Sequence, residues 1–283
     1  MIVDCHTHIR LSGGEAELFE HLEASRAVDG SIVHAMPEGH SDGVNRELSE
    51  LVHRHPDRLV GFAVIDPRVD KVNVKGLRSQ TTKLNLQGVV LYCCETGVHP
   101  THSRAMQLYE SAAELKLPVY FHNEEGFLQP AAVLEYAQPY LLDEIARTFP
   151  ELRIVIGSMG APFLDQTLAM AGKHEYVYAD LTIRPGSVWH TYNTVVAAHE
   201  RGVMHKLLFG SGFPFGRAWE CMETLLGFNM LLADTSLPAV PRATIRNVVE
   251  RDALDVLGIE HEAMKARQRK SHVAASAKPV PEA

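Results

Sequence analysis

Cysteine is scarce in this chain: Cys5, Cys93, Cys94 and Cys221 are the four in 283 residues, and none forms a CxxC spacing. That argues against a disulfide framework and predicts buried thiols acting as small hydrophobes in a reducing cytoplasm. Adjacent Cys93 and Cys94 would face opposite ways on a strand. Positive charge is in deficit, 27 Lys and Arg against 35 Asp and Glu, and the formal net charge of -8 argues against nucleic acid or an acidic membrane as a partner. No uninterrupted apolar run is long enough to span a bilayer, and no secretory leader precedes the first strand. No Gly-x-Gly-x-x-Gly follows that strand, which leaves a dinucleotide-binding open sheet without support.

An apolar fraction of 46% and a charged fraction of 22% are ordinary for a soluble globular protein. After the opening run Met1-Ile-Val-Asp-Cys-His-Thr-His8, apolar strand runs recur at Ser31–Ala35, Leu59–Ile65, Gly88–Tyr92, Pro118–Phe121, Arg153–Ile156, Tyr176–Asp180 and Lys206–Phe209. Helical spacing fills the gaps, at Glu15–Val28, from Ser41 to Val52, and at Val72–Leu86, Ser103–Leu115 and Leu134–Thr148. No two strands are close enough for a tight hairpin, so each connection is a crossover, and eight such units predict a closed (β/α)8 TIM barrel. An open doubly wound sheet is the alternative. One barrel is expected over residues 1–260, with a last helix at Pro241–Leu257 on its wall and a polar, disordered tail over 261–283.

Side chains alternate along a strand, so His6 and His8 share one side while Cys5 and Thr7 share the other. The turn signal Ser12-Gly13-Gly14 just beyond places the pair at the C-terminal mouth, where α/β barrels keep their active sites. With 16 histidines in the chain such a pair can arise by chance. His122, at the end of the fifth strand, changes that reading, because a closed barrel brings all strand ends to one mouth. His6, His8 and His122 are therefore candidate ligands, able to share an ion with bonds of about 2.0 to 2.1 Å to zinc. Asp180 ends the seventh strand, where a carboxylate is costly unless paired or used, and is a candidate catalytic residue. Arg184 close behind pairs with it or holds an anionic substrate. Glu124, with Glu125 beside it, follows His122 and is a second candidate for carrying a proton; a solvated loop is the competing reading.

Several stretches together carry a resemblance. They are Val3-Asp-Cys-His-Thr-His8, Asn45 through His55-Pro-Asp-Arg-Leu-Val-Gly-Phe-Ala-Val-Ile-Asp-Pro67, and Leu108-Tyr-Glu through Leu117-Pro-Val-Tyr-Phe-His122. Gly157-Ser-Met-Gly-Ala-Pro-Phe163, Leu208-Phe-Gly-Ser-Gly-Phe-Pro214 and the closing Asn247 to Gly258 complete the set. Up to about Ile259 the chain resembles the amidohydrolase superfamily, within it the amidohydrolase-related barrels that include aminocarboxymuconate semialdehyde decarboxylase and its hydrolase and decarboxylase relatives.

The resemblance implies a divalent metal, usually zinc, on the strand-one His pair, the strand-five His and an Asp after strand eight, with a His after strand six assisting. This chain departs from that pattern. Gly157-Ser158-Met159-Gly160 stands for Gly-His-Met-Gly, Gly210-Ser211-Gly212-Phe213-Pro214 for Gly-Ser-Asp-Phe-Pro, and no Lys follows strand four. The implied function is hydrolysis or decarboxylation of a small anionic organic substrate, with Ser158, Arg184 and Gly212 lining its pocket. The competing readings are a catalytically degenerate barrel serving as a binding or regulatory subunit beside an active paralogue, a metal-free member working by acid–base chemistry, and a phosphoesterase barrel. A homodimer is a further expectation.

Overall fold

The computed structural model describes residues 1–37, 40–123 and 128–260. Eight parallel strands follow chain order around one sheet: β1 (Val3–Ile9), β2 (Gly30–Ala35), β3 (Leu59–Val64), β4 (Gly88–Leu91), β5 (Val119–Phe121), β6 (Ile154–Ile156), β7 (Val177–Thr182) and β8 (Leu207–Gly210). Helices α1 (Gly14–Ala24), α2 (Ser41–His53), α3 (Val74–Gln80), α4 (Cys93–Thr96), α5 (Ser103–Glu114), α6 (Asp143–Thr148), α7 (Leu164–Lys173), α8 (Val188–Glu200), α9 (Ala218–Leu226), α10 (Arg242–Val249) and α11 (Ala253–Val256) lie between and after them. The sheet closes where the chain leaves β8: Gly212 N–H donates to His6 O and His8 N–H to Phe213 O, both at 2.9 Å. This is the barrel that the alternating runs predict. Strands such as Leu59–Val64 are buried along their whole length, as a sheet covered on both faces requires.

Cys93 and Cys94 open the short helix α4 rather than lying on a strand, and all four cysteines are free and buried. Two expected elements differ. The expected helix over Leu134–Thr148 is two 3-10 turns, Leu134–Ala137 and Pro139–Leu142, followed by α6. Proline holds the preceding residue out of helical geometry, and Gln138 is extended with ψ 120°. The last helix divides into α10 and α11 because Asp252 leaves the helical region and caps the second piece, its carboxylate accepting from Leu254 N–H and Asp255 N–H. Among the described residues no helix is long and apolar enough to cross a membrane. Glu124 and the tail beyond residue 260 lie outside the described residues.

His21 ties α1 to the strand that carries His6 and His8. The Thr7 hydroxyl donates to Ile32 O at 2.7 Å and accepts from His21 Nε2–H at 2.9 Å, while the imidazole packs edge-on against Phe213. Burial, with a smaller push from Arg58, lowers the His21 pKa to about 4. The unfolded chain takes up this proton first as pH falls from about 6.5, so the stability held by neutral His21 is present above that pH and lost on the way down to about 4. Between pH 7 and pH 5, urea unfolding of the wild type should therefore lose about 2 kcal/mol more than that of His21→Gln. Equal losses would mean that His21 is protonated inside the native barrel.

Candidate metal and catalytic site

Strand alternation delivers the side chains to the mouth. On β5, Phe121 packs outward against Tyr109 of α5, which leaves Tyr120 and then His122 facing in. On β1, Thr7 faces α1, so His6 and His8 face in; their rings lie 4.8 Å apart and approach His122 at 6.0 and 5.1 Å respectively. The three expected histidines are thus brought together, all buried. A fourth, His34, joins them from β2, where it is the register partner of His8.

The hydrogen bonds set the tautomers. His8 Nδ1–H donates to Phe213 O at 3.0 Å and His122 Nδ1–H to Glu95 Oε1 at 2.5 Å, both acceptor-only groups. The two Nε2 atoms face one another at 3.0 Å, within hydrogen-bond distance. On the third ring, His6 Nδ1–H donates to Thr182 Oγ1 at 2.8 Å and Asp180 Oδ1 at 3.1 Å, and His6 Nε2 has no hydrogen-bond partner among the described residues. Burial, followed by the neighbouring imidazoles, holds His8 and His34 well below the ordinary histidine range, so both are neutral and able to act as ligands. His6 Nε2 and the two ring nitrogens of His34, buried and without a hydrogen-bond partner among the described residues, are donors that a divalent cation fits.

Asp180 is fully buried and surrounded by donors. Oδ1 accepts from His6 and from the Thr182 hydroxyl; Oδ2 accepts from Tyr120 O–H at 2.6 Å and Ser158 N–H at 2.7 Å. Burial raises its pKa, but the charge and hydrogen bond of His6, with those of Thr182 and Tyr120, outweigh it and hold the carboxyl below its usual value. Gly210 permits this packing, since a Cβ there would lie 2.9 Å from His6 Cβ and 3.1 Å from Asp180 Oδ1. Ser158 meets Asp180 through its backbone, in a left-handed conformation with φ 45°. Gly212 is also left-handed, φ 65°, and meets His6 through its N–H. Arg184, half-buried just after β7, stacks its guanidinium 4.9 Å from the Phe215 ring centroid.

The structure brings together His6, His8, His122 and Asp180, which the sequence singled out, and adds His34, Glu95 and Tyr120, which it did not. The available signal for His34 was an imidazole in the otherwise apolar end of the second strand. Glu95 gave none, because only the unforeseen turn of α4 carries it back to His122.

A family model described as amidohydrolase matches residues 3–258. No curated protein matches the chain. Solved structures of similar fold include a probable 2-pyrone-4,6-dicarboxylic acid hydrolase from Acinetobacter baumannii with citric acid bound, 14% identical over 91% of this chain and 99% of that one, TM-score 0.62. A dihydroxybenzoic acid decarboxylase from Polaromonas with manganese and 2-nitroresorcinol is 15% identical over 93% and 98%, TM-score 0.64. A 5-carboxyvanillate decarboxylase from Novosphingobium aromaticivorans with manganese and a nitrobenzoic acid is 12% identical over 92% and 96%, TM-score 0.61.

Proposed function

This chain belongs to the amidohydrolase family, and we propose that it is a metal-dependent hydrolase or decarboxylase of a small anionic organic acid. The observation that carries the reading is the convergence of the buried His6, His8 and His122 rings, 4.8 to 6.0 Å apart, with His6 Nε2 left without a hydrogen-bond partner among the described residues. His6, His8 and His122 would hold the ion. A donor set made of imidazoles favours zinc over manganese, although two of the solved relatives above contain manganese. When bound, a divalent ion supplies Lewis-acid polarisation of a substrate oxygen.

The chain's own residues supply the rest. Asp180 fixes His6 in the tautomer that directs Nε2 inward, and Glu95 does the same for His122. Arg184 over Phe215 offers a cation beside an aromatic face, which suits a carboxylate carried on a ring. Ser158 and Gly212 shape the floor through their backbones, and Glu124, outside the described residues, stays a candidate for proton transfer on the sequence alone. The substrate class follows the solved relatives, which include enzymes of aromatic and pyrone carboxylates. A degenerate binding barrel is disfavoured by the buried ring nitrogens of His6 and His34 that have no partner among the described residues, which a bound cation would satisfy. Free, buried cysteines suit a cytoplasmic location.

The test is metal analysis of protein purified without chelator or affinity tag, followed by assays with 2,6-dihydroxybenzoate and 2-pyrone-4,6-dicarboxylate. About one divalent ion per chain and turnover of one substrate class at roughly 1 to 10³ s⁻¹ are expected. Protein that holds no ion, and gains neither ion nor activity on adding zinc or manganese, would sink the reading.

A further inference from the structure

In a closed barrel the first strand has two neighbours, and either can bring a donor to the His6 and His8 pair. On the β8 side the chain offers Gly212, which has no side chain. On the β2 side it offers His34, opposite His8 in register. We propose that His34 is a ligand of the metal centre, supplied by β2 to an ion held with His6 and His8, so that the site is built from imidazoles alone.

His34 is the most anomalous buried group in the barrel. It is 0% exposed, and among the described residues both of its ring nitrogens lack a hydrogen-bond partner. Burying a polar group unpaired costs about 1 to 3 kcal/mol; His21 pairs one ring nitrogen through the Thr7 hydroxyl, whereas His34 pairs neither among the described residues. The ring is instead held by contacts that leave its nitrogens unused: Tyr120 at 4.2 Å and Phe62 at 5.7 Å between centroids. One nitrogen from each of His6, His8 and His34 falls in a group whose members all lie within 4.8 Å of one another. Two donors bound tetrahedrally to one zinc ion lie about 3.3 Å apart, so loading requires a closure of about 1.5 Å. His122 borders the same centre through His8 and is oriented by Glu95.

This inference rests on the metal-dependent reading, and its test separates the two. Metal-free protein is titrated with Zn(II) by calorimetry and with Co(II) by visible absorption, for the wild type, His34→Ala and the packing control Phe62→Leu. The expected result is one ion per wild-type chain, affinity at least about 100-fold weaker in His34→Ala with an altered Co(II) band, and Phe62→Leu close to the wild type. Wild-type binding with unchanged affinity and band in His34→Ala overturns the assignment and leaves the broader reading standing. A wild type that binds neither ion overturns both. Should His34→Ala fail to fold, ¹⁵N-histidine resonances of the wild type decide: the His34 ring signal must move on Zn(II) loading, and a fixed signal overturns the assignment.

Discussion

Asp180→Asn is expected to weaken metal binding about 10- to 100-fold and to cost about 3 kcal/mol of stability, although the two side chains are nearly the same size. The carboxylate faces four donors: His6 Nδ1–H, the Thr182 and Tyr120 hydroxyls and Ser158 N–H. Only an acceptor-only group satisfies all of them. Whichever way an asparagine amide turns, its NH₂ meets donors. Turned toward His6, it drives the ring to the other tautomer and places a proton on the nitrogen that faces the centre. Urea unfolding and chelator competition measure the two effects, and a variant that binds metal as the wild type does would show that Asp180 does not orient His6.

His8→Ala is expected to have the largest effect on activity, a loss of kcat/KM of at least about 10³-fold on whichever carboxylate the wild type turns over. His8 stands between the others, its ring 4.8 Å from His6, 5.9 Å from His34 and 5.1 Å from His122. Adding zinc should therefore raise the melting temperature of the wild type and leave that of His8→Ala unchanged, because an ion stabilises only the state that binds it. A zinc-dependent rise of equal size in both proteins would place the ion elsewhere.

Much of the barrel was legible because its signal is local. A parallel strand buried on both faces writes itself as an apolar run, and histidines at the ends of such runs are visible against it. Asp180 stood out for the same reason, as a charge closing an apolar strand. The elements that went astray were decided by single residues competing with periodicity: Pro139 broke one helix and Asp252 restarted another. His34 and Tyr120 were hidden because their meaning is relational. Each looks like a strand residue until the barrel closes and brings it to His6, His8 and Asp180.

The closing seam also sets an order in time. His8 meets Phe213 across 205 positions of chain and His6 meets Asp180 across 174, so the first strand made is completed by nearly the last. At about 5 to 20 residues per second of synthesis, the pair waits on the order of 10 to 40 s for the segment that seals it. Contacts of such separation also fold slowly, because the closure entropy precedes the reward. Throughout that interval the two imidazoles belong to an open edge, with no Asp180 to fix one ring and no Phe213 carbonyl to fix the other. Only when the eighth strand docks do Asp180 and the Phe213 carbonyl together hold the two rings in the orientation they have in the closed barrel.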